Sequence, residues 1–191
     1  DRVLAERRIG SCDGDVVRIG QSLLLFRYEQ ADCADAPVSS LLGISAPQRS
    51  LRSRVRAIAR DDSVVLILGE SGTGKDLTAR ALHAESGRSG PMICINCGAI
   101  PDSLAESQLF GHVAGCFTGA QKDRQGFFTA AQRGTLFLDE IGELSARGQA
   151  LLLRALEDRM VTPVGATVPT ACDVRIIAAT NRELPRAVET G

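Results

Sequence analysis

Lys75 closes the run Gly69-Glu70-Ser71-Gly72-Thr73-Gly74-Lys75-Asp76. This is a G-x-x-x-x-G-K spacing, and its residue types suit an anion cradle. Glycines admit backbone angles closed to other residues and let the chain approach a ligand closely. Successive N–H groups then converge on one point, and a following helix adds the positive end of its dipole. The lysine adds a full charge for the β- and γ-phosphates of a nucleotide. The next residue in this motif is ordinarily Ser or Thr, whose hydroxyl meets Mg2+; here it is Asp76. A second constellation lies downstream, where Thr135 to Leu138 runs into Asp139-Glu140. An apolar run ending in two acids behind a phosphate loop supplies what phosphoryl transfer still needs. Asp139 would hold Mg2+ and Glu140 would orient or deprotonate the attacking water.

These groups need a scaffold, and the surrounding pattern offers one. Val64 to Leu68 is a short apolar run without alternation, expected to be a strand buried on both faces. Asp76 to Ser86 is helix-compatible. Met92 to Asn96, Thr135 to Leu138 and Val174 to Ala179 read as three further apolar strands. The last runs into Thr180-Asn181, and polar groups at the C-terminal end of a strand sit where α/β sheets bind ligands. Leu41 to Arg60 has helical spacing, with Leu51, Val55, Ile58 and Ala59 on one face and Arg49, Arg52, Arg54 and Arg56 elsewhere. Those arginines read as a solvated face or one lining a nucleotide pocket. Pro101-Asp102-Ser103 followed by Glu106 reads as a capping box for a helix to about Phe110. Ser145 reads as the N-cap of a helix reaching Asp158.

Residues 111–126 read as one long loop holding four glycines. Loops of that length usually carry function, and Phe117 on it is expected to touch a partner rather than a core. Cys94 and Cys97 form a C-x-x-C with no second pair and no histidine cluster, so neither metal nor redox chemistry is expected of them.

The chain has 191 residues and a net charge of −1, enough for one domain with a sizeable core and too neutral to recruit nucleic acid or membrane by a global field. Six scattered cysteines in a chain of this size favour thiols over bridges. No signal peptide or bilayer-length apolar run is visible, which makes the cytoplasm the default location. Residues 1–28 differ in character. Gly14-Asp15 is a turn signal, and Val16, Val17 and Ile19 with Leu23 to Phe26 read as two short antiparallel strands about Gly20-Gln21. Residues 29–40 read as a linker. Both ends look cut, so a fragment of a longer protein is expected.

Assembled, the motifs resemble the central ATPase domain of the sigma-54-dependent transcription activators, the bacterial enhancer-binding branch of the AAA+ proteins, over residues 41–191. GESGTGKD resembles that family's phosphate loop, where an acid commonly follows the lysine. Gly115-Cys116-Phe117-Thr118-Gly119-Ala120 resembles its GAFTGA signature, with Cys116 in place of an alanine. GTLFLDEIGEL, residues 134–144, resembles its acidic motif. The resemblance implies an α/β P-loop NTPase: a three-layer sandwich on a mostly parallel sheet, incomplete at its C-terminal end, with a short β-hairpin segment at the N-terminus. It implies ATP and Mg2+ as ligands and the Gly115–Ala120 loop as the contact to sigma-54 RNA polymerase. It implies Asn96 as the residue restraining Glu140, and Asn181 as the sensor of the γ-phosphate.

It further implies a homo-oligomeric ring under signal control, with DNA met only through a C-terminal helix-turn-helix domain absent here. The family's arginine fingers, fifth strand and lid would follow residue 191. ATP binding with slow hydrolysis is therefore expected of this chain, and self-association through the open edge beside the P-loop strand. Pro163, before Val164-Gly165, stands where the family carries a basic residue, which puts a subunit contact in question. The stretch DGDVVRIGQSLLLFR resembles the last strands of a forkhead-associated domain, so a phosphopeptide-binding module with an inert ATPase is the alternative. A GTPase or small kinase is disfavoured, because no N-K-x-D guanine-reading motif occurs.

Overall fold

The computed structural model describes residues 16–19, 22–25, 38 and 41–181. In chain order the strands and helices are β1 (Val16–Ile19), β2 (Ser22–Leu25), α1 (Ala46–Ala59), β3 (Val65–Leu68), α2 (Lys75–Glu85), β4 (Met92–Asn96), α3 (Ala105–Phe110), β5 (Gly111–His112), β6 (Arg124–Gln125), α4 (Phe127–Ala130), β7 (Thr135–Asp139), α5 (Ala146–Asp158), β8 (Met160–Val161), β9 (Thr170–Ala171) and β10 (Arg175–Thr180).

The central sheet runs β3-β10-β7-β4 and every pairing in it is parallel. Parallel neighbours cannot be joined by tight turns, so helices cross over the faces between them. The pleat sends alternate side chains to opposite sides. Leu136, Leu138, Ile176 and Ala178 pack with Leu109, Phe128 and Leu152 from α3, α4 and α5. Phe137, Ile177 and Ala179 pack with Val55 of α1 and Ala79 and Leu82 of α2. Two cores on the two faces of one sheet make the three-layer α/β sandwich expected.

The P-loop strand departs from its reading. β3 alternates instead of being buried on both faces: Val65 and Ile67 join the α1/α2 core, while Leu66 and Leu68 are 44% and 60% exposed. β3 is an edge strand of this sheet among the described residues, and the core made with α3, α4 and α5 does not extend to its outer face.

Two helix readings and one loop reading are also corrected. α1 begins at Ala46, with Pro47 in its first turn, not at Leu41. Within it Arg52 turns inward, donating through Nη1 to the Gly43 carbonyl at 2.6 Å, while Ile58 is half-exposed. The capping box before α3 does not form. Asp102–Leu104 is a 3-10 turn, and the Glu106 carboxylate instead accepts from Arg147 Nη2 of α5 at 2.9 Å. The 111–126 segment is not one open loop, because β5 and β6 pair across it. Gly111 is obligatory there: at φ +86, a Cβ would stand 2.4 Å from the Arg124 carbonyl oxygen. The cap of α5 forms as read, with Gly148 N–H donating to Ser145 Oγ at 3.2 Å.

Arg175 begins β10 almost without exposure and donates both guanidinium NH2 groups to the carbonyls of Ile58 and Ala59. A cation at the negative end of α1 thereby ties the outer helix to the sheet. β1 and β2 pair antiparallel, as the strand pattern suggests. The Gly14-Asp15 turn signal, Gly20-Gln21 and the proposed linker apart from Val38 lie outside the described residues, as does 182–191.

Candidate functional site

The C-terminal ends of β3, β7 and β10 bring the reactive residues together. Gly69 N–H donates to the Thr180 carbonyl at 3.2 Å, so the phosphate loop leaves the sheet beside the end of β10. Gly72 and Gly74 hold φ of +81 and +87, where side chains are disfavoured. Thr73 Oγ1 donates to the Glu70 carbonyl at 2.8 Å and closes the turn. Lys75 is the first residue of α2, at the helix end that favours anions.

Lys75 is 9% exposed, and a buried ammonium must find partners. It donates to the carbonyls of Gly69 at 3.0 Å and Glu70 at 3.2 Å, and its Nζ lies 3.6 Å from Glu140 Oε1. The lysine thus rests inside its own loop. Glu140 Oε2 accepts from the Asn181 backbone N–H at 3.2 Å. Asp139 Oδ1 accepts from the Glu140 N–H at 3.1 Å. Glu140 itself sits at φ 50, ψ 52. A left-handed backbone on a non-glycine residue costs on the order of 1–3 kcal/mol and marks functional positions.

Asn96 lies opposite Asp139 in the β4–β7 register, at the same end of the sheet. Its Oδ1 accepts from Gly98 N–H at 2.9 Å and opens a 3-10 turn. The Glu140 carboxylate meets Lys75 and the Asn181 N–H, while the Asn96 side chain turns to Gly98. Asn181 approaches Glu140 through its backbone, which side-chain motifs cannot reveal. A second feature left unread is the Asp76–Arg80 ion pair at 3.0 Å; its i, i+4 spacing was visible in the sequence.

The Gly115–Ala120 loop is a tight structure on a short stem. Gly115 N–H donates to the Ala120 carbonyl at 2.7 Å and Ala120 N–H to the Phe117 carbonyl at 3.0 Å. Phe117 is 40% exposed and stacks edge-on against His112, ring centres 5.0 Å apart. His112 Nδ1 in turn lies 2.7 Å from Ser107 Oγ of α3. Pro163-Val164-Gly165 packs against this stem within the same chain: Val113 N–H donates to the Val164 carbonyl at 3.1 Å and Val164 N–H to the Gly111 carbonyl at 2.9 Å.

The cysteines stay outside this chemistry. Cys94 is exposed and Cys97 buried, and both are free. Burial, then the Asp139 charge, pushes the Cys97 thiol up to about 11, away from a reactive thiolate. Among the described residues no group of three or more His, Cys, Asp or Glu could hold a metal by itself. None of the described helices is long and apolar enough to cross a membrane.

Fold and site together define a P-loop nucleotide-binding protein of the parallel α/β type. The chain belongs to the Sigma-54 interaction domain family, whose model matches residues 41–191. It is 46% identical to the transcriptional regulatory protein ZraR of Klebsiella oxytoca over 176 residues, 91% of this chain and 40% of that protein. It is 52% identical to the transcriptional regulatory protein GlrR of Escherichia coli K12 over 142 residues, 74% of this chain and 32% of that protein. The chain thus spans about two-fifths or less of these curated relatives. Among solved structures, NtrX from Brucella abortus in complex with ATP superposes with a TM-score of 0.71 at 34% identity, covering 79% of this chain and 34% of that one. Its complex with ADP gives 0.71 over 81% of this chain.

Proposed function

We propose that this chain is the ATP-driven motor unit of a sigma-54-dependent transcription activator, acting within a ring of like subunits. The convergence of Lys75, Asp139, Glu140 and the Asn181 N–H at one end of the sheet carries the reading. NtrX, alike in fold at 34% identity, is described with ATP bound, which supports ATP as the ligand.

The chemistry follows from these positions. Incoming phosphates take Lys75 from the Gly69 and Glu70 carbonyls and from Glu140. The loop N–H groups and the start of α2 then face the anion. Glu140, relieved of its lysine, holds or accepts a proton of the attacking water, with the Asn181 N–H and the fixed backbone setting its direction. Mg2+ suits the carboxylate oxygens of Asp139 and neutralises developing phosphate charge when bound. Asn181 senses the γ-phosphate, and Asn96 restrains Glu140 until the sigma-54 contact is made. The Gly115–Ala120 loop presents Phe117 and Thr118 to sigma-54. DNA contact belongs to other parts of the activator.

The test is a fluorescent-nucleotide titration of the wild type and Lys75→Ala, with sigma-54 capture by Phe117→Ala in parallel. Loss of a charge-assisted contact of about 1.5–3 kcal/mol weakens nucleotide binding roughly 10- to 150-fold in Lys75→Ala. Phe117→Ala keeps nucleotide affinity and loses capture. Equal affinity in wild type and Lys75→Ala overturns the nucleotide reading.

A further inference from the structure

We propose that Ser107 and His112 are positioning residues for Phe117. Through them α3 fixes the pose in which the signature loop offers this ring to sigma-54, a role that rests on the loop being the sigma-54 contact proposed above.

His112 is buried, and a buried imidazole needs a hydrogen-bond partner. Its Nδ1 finds one in Ser107 Oγ of α3 at 2.7 Å, and Ser107 is buried as well. The imidazole ring centre lies 5.0 Å from that of Phe117 with the planes at 62°, the geometry of an edge-to-face aromatic pair. The main chain of His112 is held separately, paired with Arg124 in the β5–β6 ribbon and bridged to Val164. The freedom left to His112 is rotation of its side chain, and the Ser107 bond removes it. The ring that Phe117 leans on is therefore oriented by α3.

The turn itself is weakly packed at its glycines. A Cβ at Gly115 or at Gly119 would meet no atom within 4 Å. Its backbone hydrogen bonds close the turn without choosing a direction for the Phe117 side chain. α3, by contrast, is firmly placed. Leu109 and Phe110 lie in the core with Leu136 and Leu138 of β7, and Glu106 is paired with Arg147 of α5. Ser107 thus ties the exposed ring to the packed interior through one imidazole.

The test places 4-fluorophenylalanine at position 117 of the full chain and follows its 19F resonance, which reads the ring current of His112. His112→Ala gives the shift of an unstacked ring. Ser107→Ala is expected to move the resonance at least about half of the way to that value. In a His112→Phe background, which keeps a ring without a hydrogen bond, Ser107→Ala is expected to cause no further displacement. Far-UV circular dichroism checks that each variant folds. Ser107→Cys, a weaker hydrogen-bond partner, is read the same way where alanine costs the fold. In unlabelled protein Ser107→Ala weakens sigma-54 capture about 3- to 10-fold. A wild-type resonance in Ser107→Ala overturns the proposal. So does an equal displacement in the His112→Phe background, which would trace the effect to α3 packing, and so does wild-type capture beside a displaced resonance. Phe117→Ala separates the two readings. If it captures sigma-54 like the wild type, the loop is not the contact; if it loses capture while Ser107→Ala leaves the resonance in place, only the relay fails.

Discussion

Gly165→Ala tests how the loop that carries Phe117 is held. A methyl at Gly165 would stand 2.5 Å from Cys116 Cβ and 2.8 Å from Val113 Cγ2, at a φ of +84. The left-handed backbone costs a non-glycine residue about 1–2 kcal/mol, and overpacking adds about 1–3 kcal/mol. Against this stand the two hydrogen bonds between Val113, Val164 and Gly111, at 3.1 and 2.9 Å. Each contributes about 0.5–1.5 kcal/mol net. The strain outweighs the clamp, and it is far smaller than the packing of the two cores. The methyl is therefore relieved by parting the 163–165 segment from the loop stem, with the sheet intact. The assay is native-state hydrogen exchange. Amides of Val113 and Val164 are expected to exchange about 10- to 100-fold faster, at about 1.4 kcal/mol per tenfold, while those of β7 and β10 keep wild-type protection. Cys116→Gly removes the 2.5 Å contact and recovers part of the loss in the double variant. Wild-type exchange at Val113 and Val164 in Gly165→Ala would refute the clamp.

Other outcomes follow from the two ends of the sheet. Arg175→Met removes a cation from the carbonyls of Ile58 and Ala59 and leaves them buried. A loss of about 3–5 kcal/mol is expected by urea denaturation, and a loss below about 1 kcal/mol would show that α1 does not need this anchor. His83, 2.9 Å from Thr135 Oγ1, is held below its ordinary pKa by burial first and then by Arg88 and Arg175. The unfolded chain therefore binds this proton more readily. The stability linked to it is complete above the ordinary value of about 6.5 and declines as pH falls below it. His83→Gln should flatten that part of the urea-midpoint profile between about pH 7.5 and 5.5. An identical profile in the variant would assign the slope to other groups.

The phosphate loop, the acids at the end of β7 and the signature loop were readable because their chemistry requires contiguous residues at fixed spacing. Glycines, a lysine and a strand–loop–helix context are local facts, and so are strand length and the Ser145 cap. Residues that act across the fold were not readable. Nothing in the pattern near residue 64 says that β3 is an edge strand with Leu66 and Leu68 uncovered, because burial depends on which layers reach it. Arg52 and Arg175 look like surface charges in sequence, and both are buried by carbonyls that tertiary contacts bring to them. The pairing of Lys75 with Glu140, the backbone N–H that Asn181 offers, and the clasp of Val164 on the loop stem join residues 41 to 65 positions apart. Sequence by itself determined which groups could do chemistry. The order of four parallel strands decided which of them meet, because only their shared C-terminal edge places three separate turns within one nucleotide's reach.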